Sequence, residues 1–141
     1  MLYEPVQKDS KNIVFVYATC SSAEEARDIG LSAIREKLAI SADYWAINSI
    51  YPWQNVIQEI DQYMLMFATQ KHLSDQLIKH IESEHSYDVP TIIRVDSQAV
   101  NQPYSFWVDT ILSSKEKYIT EEEYEQKKKD EEGGYRYDKL K

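Results

Sequence analysis

Residues Ser41 to Thr69 read SADYWAINSIYPWQNVIQEIDQYMLMFAT, and no helical period runs through them. The segment therefore reads as strands. Two are expected, roughly Tyr44 to Trp53 and Val56 to Thr69, joined by a turn at Gln54-Asn55. Asn55 tolerates the left-handed backbone that a tight hairpin needs. Pro52, next to the turn, fits only where no partner strand requires its missing N–H. Arms of this length in a small domain often pair with another subunit.

The flanking elements follow from this hairpin. Upstream, NIVFVYAT (Asn12 to Thr19) is a continuous apolar run that reads as a strand buried on both faces. CSSAEEA follows, where Ser21 or Ser22 can cap a helix and Glu24 or Glu25 can complete a capping box. Ala23, Ala26, Gly30, Ala33, Ile34 and Leu38 then recur at helical spacing, and their small size permits close packing on a sheet. Downstream, a second helix is expected from Lys71 to Glu84, with Leu73, Leu77, Ile78 and Ile81 facing inward. VPTIIRVDS gives a fourth strand opened by Pro90, and PYSFWVDTILSS a closing helix with Pro103 in its first turn. The order β-α-β-β-α-β plus a helix is the α+β, ferredoxin-like split βαβ pattern. Two helices on one sheet face leave the other bare, and its aromatic and β-branched residues predict an oligomer.

Three segments are expected: an N-terminal extension (1–11), one domain (12–114) and a charged, solvated tail (115–141). The tail holds eight basic and nine acidic residues, with helix only around Glu121 to Lys129 and a break at Gly133-Gly134. The whole chain of 141 residues carries a net charge of −8, which argues against nucleic acid or an anionic membrane as partner. Cys20 is the single cysteine, so neither an intramolecular disulfide nor a cage of thiolates on zinc can form. No apolar run reaches membrane-spanning length and the start shows no signal-peptide pattern, so a cytoplasmic location is expected.

Five stretches carry a resemblance: VYAT ending the first strand, AEEARDIGLSAIREKLA as the first helix, SIYPW near the hairpin tip, HSYDVP before the fourth strand, and YSFW in the last helix. In this order over about a hundred residues the chain resembles the CutA family of divalent-cation tolerance proteins, relatives in fold of the PII proteins. The resemblance implies a ferredoxin-like protomer in a tight homotrimer, with clefts between subunits and divalent ions such as copper as ligands, and no enzymatic reaction. Carried onto this chain, the cleft comprises Thr19, Tyr51, Trp53, Gln62, His85, Tyr87 and Trp107. There are departures. Asn55 stands for a glycine, Ser41 for a helix-end cysteine, and Ser86 for the proline after the histidine. Gln62 and Ala68 replace a glutamate and a lysine.

Imidazole and carboxylate suit copper or zinc. Within one chain His85 is the best metal candidate, with Glu84 beside it, and a weakly held Cu or Zn ion is expected. His80 and Glu84 share a helix face at i,i+4, while His85 lies past the helix end. His80 and His72 are expected to be ordinary surface histidines. The alternative is a PII-like small-molecule-sensing or protein-interaction module with the metal role lost, its aromatic cleft serving as the pocket. The tail is a route to a protein partner. Catalysis by Cys20 as nucleophile, His85 as base and Asp96 as orienting acid is not expected, since nothing in the sequence brings the three together. A helix start at Cys20 would lower its pKa if the thiol were exposed.

Overall fold

The computed structural model describes the backbone of residues 12–140 and the side chains of 12–132. The expected extension 1–11 lies outside the described residues. The elements run β1 (Ile13–Cys20), α1 (Ala23–Arg35), β2 (Ser41–Trp53), β3 (Val56–Gln70), a 3-10 turn (Lys71–Leu73), α2 (Ser74–Glu84), β4 (Ile92–Asp96), α3 (Gln102–Ser113) and α4 (Glu121–Leu140). The strands form one antiparallel sheet in the order β2-β3-β1-β4. This is the expected ferredoxin-like arrangement, with the two middle positions held by β1 and β3.

Alternation along β1 creates the core. Val14, Val16, Ala18 and Cys20 are fully buried, and beside them on β3 lie Leu65 and Phe67. Ala26, Ile29 and Ala33 of α1 and Leu77 and Ile81 of α2 close over that face. Gly30 brings α1 close to β2, because a Cβ there would stand 3.1 Å from the Ala42 Cβ. Any larger side chain would have to push helix and strand apart.

β1 was expected to be buried on both faces, and within one protomer it is not. Phe15, Tyr17 and Thr19 on its second face are only half-buried. In the same layer Trp45 (44%), Ile93 (54%) and Val95 (46%) are exposed, so an apolar face is left without a helix over it. Full burial of a run this apolar needs a second layer that the protomer does not supply.

The hairpin turn has left-handed backbone at both Gln54 (φ 48°) and Asn55 (φ 65°). Asn55 was expected there and Gln54 was not; a two-residue loop matching the strand twist demands positive φ at both positions. β1 pairs with β3 only as far as Cys20↔Tyr63, while β2 and β3 remain paired to Trp53↔Val56. The arm therefore runs roughly 23 Å beyond the body of the sheet. Its Ile50, Trp53, Val56 and Ile57 are all more than half exposed.

The end of the chain is fastened to α1. Lys37 donates from Nζ to the Ser114 carbonyl and lies 5.0 Å above the Tyr118 ring, and Arg35 pairs with Glu123. Thr120 caps α4 by accepting from the Glu123 N–H at 3.1 Å. Residues 121–132 are exposed, as a solvated extension requires. The expected break at Gly133-Gly134 does not occur, since α4 extends to Leu140. Two interior glycines cost about 1 kcal/mol each in helix propensity, too little to end a helix already propagating. Among the described residues no helix is long and apolar enough to cross a membrane.

Candidate functional site

The site forms where β1 ends, α1 begins and α2 gives way to the loop before β4. Ser22 is the N-cap of α1, and its Oγ accepts from the Glu25 N–H at 3.0 Å. Glu25 reaches back, its Oε1 accepting from the Ser21 N–H (2.9 Å) and hydroxyl (3.1 Å). The capping signature is thus realised by Ser22 and Glu25. The other carboxylate oxygen, Oε2, accepts from the Ser86 N–H at 2.9 Å, across to the loop after α2.

His85 is the C-cap residue of α2, in extended conformation (φ −78°, ψ 143°). Its Nε2 lies 2.7 Å from the Thr19 carbonyl and its Nδ1 accepts from the Tyr87 N–H at 3.1 Å. A carbonyl can only accept, so the neutral ring carries its proton on Nε2 and spends its one lone pair on Tyr87. The Tyr87 ring tilts against the imidazole at 4.8 Å, and its hydroxyl donates to Gln62 Oε1 at 3.1 Å.

Ligating atoms of Cys20, Glu25 and His85 all lie within 4.8 Å of one another. Burial, with the nearby Glu25 carboxylate adding to it, pushes the Cys20 thiol from its ordinary 9.0 to about 12. The helix start does not lower it, because the thiol is enclosed. For Glu25, burial acts to raise the pKa, but hydrogen bonds from Ser86 and Ser21 and the neighbouring His85 outweigh it and hold the carboxyl below its usual range. Burial also raises the Tyr87 phenol, helped by Glu25, Tyr51 and Cys20.

Thiolate, carboxylate and imidazole together suit a borderline divalent cation such as zinc or copper. Around a tetrahedral ion such donors stand roughly 3.3 to 3.8 Å apart, so the trio would have to close in. The donor types fit; the lone pairs of Glu25 and His85 are turned to protein partners. An open groove of ≈ 540 Å³ between α1 and α2, lined by Glu24, Asp28 and Glu84 among others, leads to Glu25.

Of the residues expected at the cleft, Thr19, Gln62, His85 and Tyr87 come together in one protomer, and Tyr51 lies near enough to bias Tyr87. Trp53 stands apart at the hairpin tip. Trp107 sits on α3 beside a small apolar cavity of ≈ 200 Å³ shared with Ile34, Ile111 and Tyr118. Glu84 is directed away from His85. Its Oε1 accepts from Ser32 Oγ at 2.7 Å and lies 3.4 Å from His80 Nε2, bridging α1 and α2. Asp96 pairs with Arg94 at 2.8 Å, on the strand pair Val14↔Asp96 far from Cys20. Cys20 and Glu25 are neighbours of His85 that the sequence does not predict; Glu25 reads there only as a capping residue.

A family model described as "CutA1 divalent ion tolerance protein" matches residues 14–111. Among curated proteins, "Protein CutA" of Mus musculus is 29% identical over 99 residues, covering 70% of this chain and 56% of that protein. "Divalent-cation tolerance protein CutA" of Pyrococcus horikoshii is 30% identical over 96 residues, covering 68% of this chain and 94% of that one. The chain spans little more than half the length of the first of these relatives. Among solved structures, CutA1 from Ehrlichia chaffeensis superposes with a TM-score of 0.69 at 27% identity, covering 72% of this chain and 95% of that one. CutA1 from Pyrococcus horikoshii gives 0.68 at 28%, covering 70% and 96%.

Proposed function

The chain belongs to the CutA1 divalent ion tolerance protein family, and from that premise we propose that it is a non-catalytic, cytoplasmic homotrimer that binds divalent cations weakly. The observation that carries the reading is the convergence of Cys20, Glu25 and His85 within 4.8 Å. Cys20 and His85 are also the pair a thiol-dependent enzyme would need, but a thiol held at about 12 is a poor nucleophile near neutral pH. Copper or zinc suits the donors, and binding is weak because it must displace hydrogen bonds already made and a thiol proton. The trimer reading is supported by the exposed apolar sheet face and the protruding hairpin arm. In it the clefts between subunits gather Trp53 and Trp107 with Thr19, Tyr51, Gln62, His85 and Tyr87. A protein partner reached through residues 115–141 belongs to the same reading.

Calorimetric titration of metal-free protein with Cu(II) and Zn(II) tests the ion site. One saturable site per protomer, lost in His85→Ala, is the expected result; binding unchanged in that variant removes the assignment. Light scattering is expected to give about three times the 16.6 kDa chain mass. The second reading, a PII-like small-molecule-sensing or interaction module, is favoured by one observation: both His85 nitrogens and both Glu25 oxygens already have protein partners. Absence of any metal heat in the wild-type protein would favour it.

A further inference from the structure

We infer that the backbone N–H of Ser86 is the clasp that keeps the Cys20–Glu25–His85 trio closed to cations, so that position 86 sets this chain's divalent-ion affinity. The inference rests on the reading of that trio as the ion site. Two consecutive amides point into it: Ser86 N–H to Glu25 Oε2 at 2.9 Å and Tyr87 N–H to His85 Nδ1 at 3.1 Å. Each donates to a lone pair that a cation would need, so amide and ion compete for the same acceptor. The two amides are adjacent in the chain.

The clasp is separable from the rest of the site. Glu25 Oε1 is engaged within the α1 cap by Ser21, and only Oε2 reaches across to the other loop. Losing the Ser86 bond therefore frees carboxylate lone pairs without undoing the helix cap. Cys20 Sγ already lies beside the freed Glu25 carboxylate and beside His85, and on ligation its thiol proton passes to solvent.

Ser86→Pro deletes both the N–H and the hydroxyl from which Glu25 accepts, while Ser86→Ala deletes the hydroxyl alone and keeps the N–H. His85 already has the extended backbone (φ −78°, ψ 143°) required of a residue before proline, so the exchange is compatible on that side. Anaerobic Co(II) titration is the test, with the thiolate-to-cobalt absorption band reporting Cys20. Ser86→Pro should bind Co(II) about tenfold more tightly than Ser86→Ala, from which it differs at Glu25 in the N–H alone, the weight of one hydrogen bond to a carboxylate. In the wild-type protein, amide exchange at Ser86 and Tyr87 should accelerate when Zn(II) saturates the site, a readout independent of how the proline variant folds. Equal Co(II) affinity in folded Ser86→Pro and Ser86→Ala, or unchanged amide protection under saturating Zn(II), overturns the clasp while leaving the site. If Co(II) binds to none of the three proteins, or binds regardless of His85→Ala, the ion-site reading itself fails.

Discussion

At the scale of single residues, Glu25 and Cys20 bound the pH range over which the domain is firm. The Glu25 carboxyl is held below its ordinary 4.5, so its contribution is present above that value and is lost as pH falls through the lower folded value. The Cys20 thiol moves the other way: the unfolded chain releases its proton near 9.0, the folded one near 12. Stability from Cys20 is thus complete below about 9 and drains away between 9 and 12. Denaturant unfolding across pH should show a plateau between these limits. Glu25→Gln should flatten the acid limb. Cys20→Ala should reduce the alkaline one, leaving the part due to Tyr87, whose raised phenol pKa has the same sign.

At the scale of elements, Lys37 departs from what a helix end prefers. It follows the C-cap of α1 with φ 57°, and the bonds Lys37 N–H to Ile34 O and Leu38 N–H to Ala33 O mark a Schellman ending, where glycine is the usual residue. A lysine there costs about 1 kcal/mol of backbone strain, and its side chain holds Ser114 and Tyr118. Lys37→Gly should therefore leave thermal stability unchanged or slightly raised. It should also make residues 115–120 more susceptible to protease, and a variant equally resistant would show that the lysine does not hold the tail. Helices, hairpin and capping signature were readable from the sequence because their determinants sit three or four residues apart. The gathering around His85 was not. It depends on where β1 stops and on a loop 61 residues after Glu25, whereas Glu84 is engaged by Ser32 and His80 on the α1 side. Residue 84 is still helical and faces α1, whereas residue 85 has already left the helix.

For the whole molecule, the second face of the sheet leaves Trp45, Ile93 and Val95 exposed in one apolar layer. Its composition is the ground on which the sequence predicts an oligomer, and no pattern within one chain specifies a number of copies. Ile93, half exposed on the outer strand β4 opposite Tyr17, is the residue to charge. Ile93→Lys should lower the mass seen by light scattering while leaving the protomer's far-UV circular dichroism intact. Full retention of the assembly would place the contact elsewhere. The sheet also has two outer strands, and β2, the longer-reaching of them, carries Pro52 in its ladder opposite Ile57. A proline in an outer strand is accommodated with its nitrogen on the open side, where it cannot donate to an incoming strand. A sticky, protruding arm of this kind would otherwise be a template for edge-to-edge aggregation. Pro52 interrupts that template close to the tip, so the arm can be apolar enough to associate without seeding a fibre.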